Sequence, residues 1–316
     1  VLFRSKFLDA KLPLSIQVHP TQDFAEEYFN NGYVRDSSIK DEGIVVISDT
    51  ASMVLGFKPL EELLAVCTEY PAIQEFLIAE GVEMDVLRAS KSSPSSTAAP
   101  ARIITAAILK ADKGSVAKAC ADLLPLVSGR ADPTTAWLRR LIGQFPEGDP
   151  GILLFPFLNL IELNRGDSVS LYAGEVHAYL EGLLAEPQRN SDAVLRCGLT
   201  PKEKHPAQIL ECASFASKVP TVEKGELIDG KAGRRRYPMP HIPAGVEVFE
   251  GQGLDIIQSE SSWILVNLTG SASLTIPGVS APVELKDHSA YFIPAGSFPI
   301  TLVRQSGNLI AFNCGL

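Results

Sequence analysis

The residues whose types and spacing could do chemistry are Gln17-Val18-His19 and, far along the chain, His177 within Ala173-Gly174-Glu175-Val176-His177-Ala178-Tyr179. In a β-strand, residues i and i+2 face the same way, so Gln17 and His19 share a face and Ile16 and Val18 take the other. An amide oxygen beside an imidazole makes half of a metal site. His177, just past an Ala-Gly turn, would add a third ligand from a second strand. Glu42 is the best fourth, since it precedes the β-branched run Gly43-Ile44-Val45-Val46-Ile47-Ser48 and lies beside Lys40. The plain alternative for Glu42 is a solvated loop acid of the kind its neighbour Asp41 is taken to be. A mixed nitrogen and oxygen set without thiolate suits Zn²⁺ or another divalent first-row ion, in a catalytic rather than a structural site. His205, His241 and His288 lie in polar or proline-flanked segments and read as surface or loop residues.

A polar stretch follows His177: Glu186, then Ser191-Asp192, then Arg196-Cys197-Gly198-Leu199-Thr200-Pro201-Lys202. A fixed guanidinium and an ammonium at the mouth of one barrel can hold a phosphate or a developing oxyanion. Taken alone, the same two charges read as an ordinary surface loop. The run Arg234-Arg235-Arg236 is the one feature that suggests nucleic acid. With 28 basic against 37 acidic residues and a net charge of −9, it reads instead as a solvated loop beside Pro238 and Pro240.

The elements that must position these groups follow a β, then α, then β order. Leu14–His19 alternates as a strand does, and Gly43–Ser48 suits a buried strand. A short helix fits Asp23–Asn30. From Pro59 the texture turns helical: Glu61–Cys67, Ala72–Glu80, Ile103–Ala111, Ser115–Leu124 and Thr134–Ile142, with Ser115 and Asp132 as N-caps. Phe76, Ile108, Leu123 and Trp137 fit the core of these helices. Ala89–Pro100, rich in Ser, Ala and Pro, reads as a flexible loop. Strand texture returns at Gly151 and runs to the end, with turns at Gly166-Asp167 and Gly307-Asn308. Ser168–His177 lies over Ala290–Pro299 with Ala173-Gly174 on Ala295-Gly296, so both segments fit the strand–turn–strand corner of a cupin-type jelly roll. In the second copy Pro299 stands at the position of His177, so only the first barrel can bind metal.

The chain of 316 residues is 46% hydrophobic, which allows two or three domains and excludes global disorder. The five cysteines, Cys67, Cys120, Cys197, Cys212 and Cys314, are odd in number and widely spaced, as expected in a reducing compartment. The longest apolar stretch, Gly151–Leu163, is too short to span a membrane and is broken by Pro156. No signal peptide is visible. The chain opens without an initiator Met at Val1-Leu2-Phe3-Arg4-Ser5. That start reads as a missing natural N-terminus with foreign residues before Lys6, and no site residue is assigned there.

Four motifs in order resemble type I mannose-6-phosphate isomerases over nearly the whole chain. They are Leu14-Ser15-Ile16-Gln17-Val18-His19-Pro20; Gly56-Phe57-Lys58-Pro59; Ala173–Leu180; and Ser191-Asp192 with Arg196–Lys202. The resemblance implies a mainly β fold of two cupin barrels with an inserted helical domain. The catalytic barrel would comprise 1–58 and 148–200, the insertion 59–147, and a second barrel without a metal site 201–316. It implies a zinc-dependent aldose–ketose isomerase interconverting mannose 6-phosphate and fructose 6-phosphate and feeding GDP-mannose synthesis. One Zn²⁺ would be held by Gln17, His19, Glu42 and His177. Active-site positions fall on Arg196, Lys40, Glu186, Tyr179 and Asp192, with Ser15, Lys6 and Lys202 toward the substrate. The expected partner is a small sugar phosphate, with no nucleic acid and no membrane, and the expected setting is a cytoplasmic monomer. Three features depart from the family. Ile39 replaces the histidine proposed to help open the sugar ring, and Gly43 stands where a larger apolar residue is common. The family's opening strands, which would precede Lys6, are also absent, so an exposed edge or altered pairing is expected. Ile39 motivates the alternative of a sugar-phosphate-binding bicupin without turnover. An Fe(II) oxygenase would need more histidines than the ligand set offers.

Overall fold

The computed structural model describes residues 3–89, 100–230 and 233–313. Strands β1 (Phe3–Ala10) and β2 (Ile16–Val18), helix α1 (Gln22–Asn30), and strands β3 (Glu42–Val46) and β4 (Thr50–Phe57) come first. Helices α2 (Leu60–Glu69), α3 (Pro71–Ala79), α4 (Met84–Ala89), α5 (Pro100–Lys110), α6 (Lys113–Val127), α7 (Pro133–Gln144) and α8 (Pro150–Leu154) follow. The chain then returns to strands β5 (Leu158–Asn164), β6 (Ser168–Leu171), β7 (His177–Arg189) and β8 (Leu195–Gly198), and to helix α9 (Pro206–Cys212). Short strands complete it: β9 (Glu226–Leu227), β10 (Arg234–Tyr237), β11 (Gly245–Glu250), β12 (Gly253–Ile257), β13 (Trp263–Thr269), β14 (Ala272–Thr275), β15 (Val283–Leu285), β16 (Ser289–Ile293), β17 (Ile300–Arg304) and β18 (Asn308–Asn313).

Strand β7 organises the first half. Its end near His177 pairs with β2 and β4, and its later half pairs with β1 and β3, all antiparallel. One strand thereby ties eight into a single sheet. Strand β1 lies at an edge, paired only with β7 among the described residues. Phe3, Arg4 and Ser5, given no role from the sequence, are part of it. The second half forms a six-stranded sheet, ordered β16-β13-β18-β11-β10-β9, and a four-stranded sheet, ordered β12-β17-β14-β15. The outer side of the six-stranded sheet packs on the first half through Val45 and Ala185 against Tyr237, Met239, Val246, Ile310 and Phe312.

The helices share one core with β2 and β8, and Phe76, Ile108, Leu123 and Trp137 are all in it. A close approach fixes this block against the sheet. A Cβ on Gly151, in α8, would stand 2.6 Å from the Leu199 nitrogen, so only glycine lets α8 reach the end of β8. Asp149 reinforces the junction by accepting from the amides of Gly151, at 2.7 Å, and Leu199, at 2.5 Å.

Four sequence expectations change. The cap of α6 is Asp112, whose side chain accepts from the amides of Gly114 and Ser115; Ser115 is already inside the helix. Asp132 does cap α7. Strand texture at Gly151 is helix instead, started by the Asp149 cap and Pro150 and continued as a 3₁₀ turn over Phe155–Phe157, so the strand begins at Leu158. Arg234-Arg235-Arg236 is strand β10, with Arg234 buried against Glu247. Of the loop read over Ala89–Pro100, Ala89 ends α4, Pro100 begins α5, and residues 90–99 lie outside the described residues. Ser168–His177 runs from β6 through a turn to the first residue of β7, while Ala290–Pro299 runs from β16 through a 3₁₀ turn and stops just before β17. Cys67, Cys120, Cys197 and Cys212 are free and buried; Cys314 is outside the described residues. No described helix is long and apolar enough to cross a membrane.

Candidate metal centre

Cross-strand pairing builds the site. Gln17 on β2 lies opposite His177 on one side and Arg196 on the other. His19 leaves the same strand two residues on, and Glu42 opens β3. Nitrogen and oxygen atoms of His19, Glu42 and His177, all buried, lie within 4.8 Å of one another. The Nε2 atoms of His19 and His177 stand 3.4 and 3.5 Å from the two Glu42 carboxylate oxygens. The Gln17 amide nitrogen is 3.4 Å from His177 Nε2, and Ser15 Oγ is 3.5 Å from Gln17 Oε1.

Both imidazoles are oriented from behind. His19 Nδ1 donates to the Ala193 carbonyl at 2.8 Å, and His177 Nδ1 donates to the Glu175 carbonyl at 2.9 Å. A carbonyl only accepts, so each ring carries its proton on Nδ1 and keeps the Nε2 lone pair for the centre. Burial, and then the charge of Lys40, lowers the His19 pKa to about 4, so that ring is neutral at pH 7. Burial alone would raise Glu42; Lys40 and the imidazoles beside it override this and hold its carboxyl well below the usual range. An anionic carboxylate, two unprotonated Nε2 atoms and a carboxamide are the donor set a first-row dication takes.

Lys40, also buried, donates to Glu42 and lies 3.4 Å from His19 Nε2. Tyr179 donates to Glu42 Oε2 at 3.1 Å. Behind Tyr179, Glu186 stands 3.8 Å from Lys6, its partner across the β1–β7 pair. Burial, with the charge on Glu42 adding to it, raises the Glu186 pKa to about 8. Burial and the nearby Arg35 lower that of Arg196, whose guanidinium forms no hydrogen bond or ion pair among the described residues.

The structure thus brings Gln17, His19, Glu42, His177, Lys40 and Tyr179 together, with Glu186 and Lys6 one step away and Arg196 on the flanking strand. Two residues stand apart. Asp192 is exposed and paired with Arg4 at 2.8 Å. Lys202 is exposed in the loop after β8, with its amide on Thr200 Oγ1.

Several neighbours escaped the sequence reading. Asp41 is no solvated acid: it is buried, accepts from the Ala173 amide and from Arg189 Nε, each at 2.9 Å, and so pins the loop between Lys40 and Glu42. His241 is half-buried, with Nε2 2.6 Å from the Glu42 carbonyl oxygen. His205 precedes α9 and faces Tyr33, while His288 is exposed as expected. Gln188, fully buried and paired across from Glu42, has no partner for either amide atom among the described residues. No short-range pattern reveals these residues, because each partner lies on a distant segment. Gly43 has its explanation in Met239, whose sulfur fills the space a Cβ there would need.

No family model matches the chain. It is 26% identical over 333 residues to mannose-6-phosphate isomerase of Homo sapiens, covering 98% of this chain and 76% of that protein. With the Escherichia coli enzyme of the same name it shares 28% identity over 333 residues, covering 97% of this chain and 77% of that one. With the Cryptococcus neoformans enzyme it shares 33% identity, over 63% of this chain and 51% of that protein. Among solved structures, a variant of phosphomannose isomerase from Salmonella typhimurium superposes with a TM-score of 0.82 at 23% identity, covering 99% of this chain and 80% of that one. A zinc-bound mannose 6-phosphate isomerase also gives 0.82 at 23%, covering 99% and 79%. The shared fold therefore runs the length of this chain.

Proposed function

We propose that this chain is a zinc-dependent aldose–ketose isomerase that interconverts mannose 6-phosphate and fructose 6-phosphate. The observation that carries the reading is the convergence of His19, Glu42 and His177, with Gln17 beside His177 and both imidazoles held through Nδ1 so that Nε2 faces the cluster. Similarity to curated mannose-6-phosphate isomerases over 97–98% of the chain supports the substrate pair. When bound, Zn²⁺ supplies Lewis-acid polarisation of a sugar oxygen.

The chain's own residues then have separable tasks. Lys40 sets a buried positive charge beside Glu42 and the reacting oxygens. Glu186, with its pKa near 8, can take and return a proton close to neutral pH, which is what moving one proton between C2 and C1 requires. Tyr179 lies between the ligand Glu42 and Glu186 and can hold a hydroxyl proton in place. Arg196, buried in part and without an ion pair among the described residues, offers a guanidinium to a developing oxyanion or to phosphate. Ser15 and Lys6 line the approach, Lys202 offers an exposed ammonium to the phosphate, and Asp192 with Arg4 forms part of the rim.

The same reading places the site in a cupin-type barrel. The catalytic barrel would take 1–58 and 148–200, a helical insertion 59–147, and a second barrel without metal 201–316. Its product would feed GDP-mannose synthesis. The protein would act as a cytoplasmic monomer with neither nucleic-acid nor membrane partners.

The test is a coupled assay for fructose 6-phosphate after chelation, with and without added Zn²⁺. Zinc-restored turnover is expected and would show that Ile39 is tolerated. Zinc retained without turnover would contradict the isomerase reading and favour a sugar-phosphate-binding protein.

A further inference from the structure

The segment after β10 belongs to the second half of the chain, yet it lies against the peptide that carries Glu42. His241 Nε2 is 2.6 Å from the Glu42 carbonyl oxygen, and since that oxygen only accepts, Nε2 holds the proton. His241 Nδ1 is buried without a partner, so among the described residues the Glu42 carbonyl is the polar tie of this ring. The ring rests on Tyr172, centroids 4.6 Å apart, in the turn that leads to His177. Arg189 closes the arrangement, reaching the His241 carbonyl through Nη2 at 3.0 Å and Asp41 through Nε at 2.9 Å.

The residue after Glu42 is glycine, and glycine leaves the adjoining peptide freer than any other residue would. Glu42 is paired with Leu171 of β6 and Gln188 of β7, and its carboxylate accepts from Lys40 and Tyr179; contacts from the second half of the chain add to these a restraint on the peptide itself. Met239 packs into the space above Gly43, which limits sideways movement. The hydrogen bond from His241 fixes the carbonyl, and with it the rotation of the peptide. His19 and His177 are steadied by carbonyls that accept from their rings; Glu42 is steadied the other way round, by a ring that donates to its main chain.

We infer that His241 is a positioning residue for Glu42, holding through Nε2 the main chain from which the carboxylate reaches the metal position. The second half of the chain therefore helps to build the centre without contributing a ligand. The inference rests on the metal-centre reading above.

The test uses the full chain and three variants, His241→Ala, His241→Phe and His241→Gln. Zn²⁺ affinity is measured by chelator competition, the visible spectrum is recorded after Co²⁺ substitution, and metal-free melting checks the fold. His241→Ala should bind Zn²⁺ about 10- to 100-fold more weakly, the usual scale for losing an outer-sphere partner, and should alter the Co²⁺ bands. His241→Phe keeps the ring on Tyr172 without the donor and should lose affinity likewise, even if the alanine variant folds poorly. His241→Gln retains an N–H able to reach the carbonyl and should recover most of the affinity. Parent-like affinity and spectrum in the alanine and phenylalanine variants would overturn the inference. So would a glutamine variant as weak as alanine, since packing and not the hydrogen bond would then matter. A parent chain that takes up no Zn²⁺ would overturn the metal-centre reading itself, and the inference with it.

Discussion

Each half of the molecule buries a cluster of charge, and the two are completed in opposite ways. In the second half, Glu247 and Asp255 are met by arginines. Arg234 donates twice to Glu247 Oε2, at 2.9 and 2.8 Å, and Arg236 twice to Oε1, at 3.1 and 2.8 Å. Arg304 donates twice to Asp255 Oδ2, at 3.2 and 2.9 Å. Arg234 and Arg304 both lie over the Phe249 ring, at 5.3 and 5.7 Å. Donors there match acceptors, and nothing further is required. In the first half the groups around Glu42 are mostly acceptors: two carboxylate oxygens, with two lone pairs each, and two Nε2 atoms. Lys40 and Tyr179 donate to Glu42, Lys40 also lies 3.4 Å from His19 Nε2, and the Gln17 amide nitrogen lies 3.4 Å from His177 Nε2, so four acceptor atoms share three donor groups and carboxylate lone pairs are left over. Buried charge alone therefore does not mark a functional site. A local excess of lone pairs does, because only a cation or a substrate proton can complete it.

The sharpest way to break the comparison is to remove one acceptor from the first cluster. His177→Ala should abolish both zinc binding and isomerase turnover, measured as bound metal after dialysis and by the coupled assay; an active, metal-free variant would refute the site. The converse change is Glu247→Gln in the second cluster. It leaves Arg234 and Arg236 without their carboxylate and should cost about 3–5 kcal/mol, read from urea unfolding, while zinc affinity per folded molecule stays that of the parent.

A smaller effect separates the two halves by pH. A carboxyl whose folded pKa is raised to about 8 favours the folded state below its unfolded value near 4.3, and that contribution is lost as pH climbs through 8. Glu186→Gln cannot ionise. Metal-free melting temperatures of parent and variant, taken from pH 5 to pH 8, should therefore diverge in favour of the variant as pH rises. Parallel curves would show that Glu186 already ionises in the ordinary range.

Much of the centre was legible because strand geometry is local. The period of two puts Gln17 and His19 on one face, and the Ala173-Gly174 turn announces the strand of His177. What escaped depends on contacts between distant segments. Asp41 resembles any loop acid until Arg189 is seen beside it. His241 lies 199 residues from the carbonyl it touches. The arginine run reads as solvated because Glu247 is on the neighbouring strand β11. The misread of Gly151–Leu154 has a local cause: an apolar stretch has no clear period, and the Asp149 cap with Pro150 decides for helix. Ser115 is not the cap because Asp112, three residues earlier, already starts the helix by accepting from the Gly114 and Ser115 amides.

The role of the first cluster turns on its holding zinc through nitrogen and oxygen ligands. Zinc-edge X-ray absorption on the loaded protein tests that without reference to turnover. The predicted result is a first shell of nitrogen and oxygen at about 2.0–2.1 Å, with imidazole scattering in the parent that diminishes in His177→Ala. A sulfur shell at about 2.3 Å, or a spectrum unchanged by His177→Ala, would contradict it.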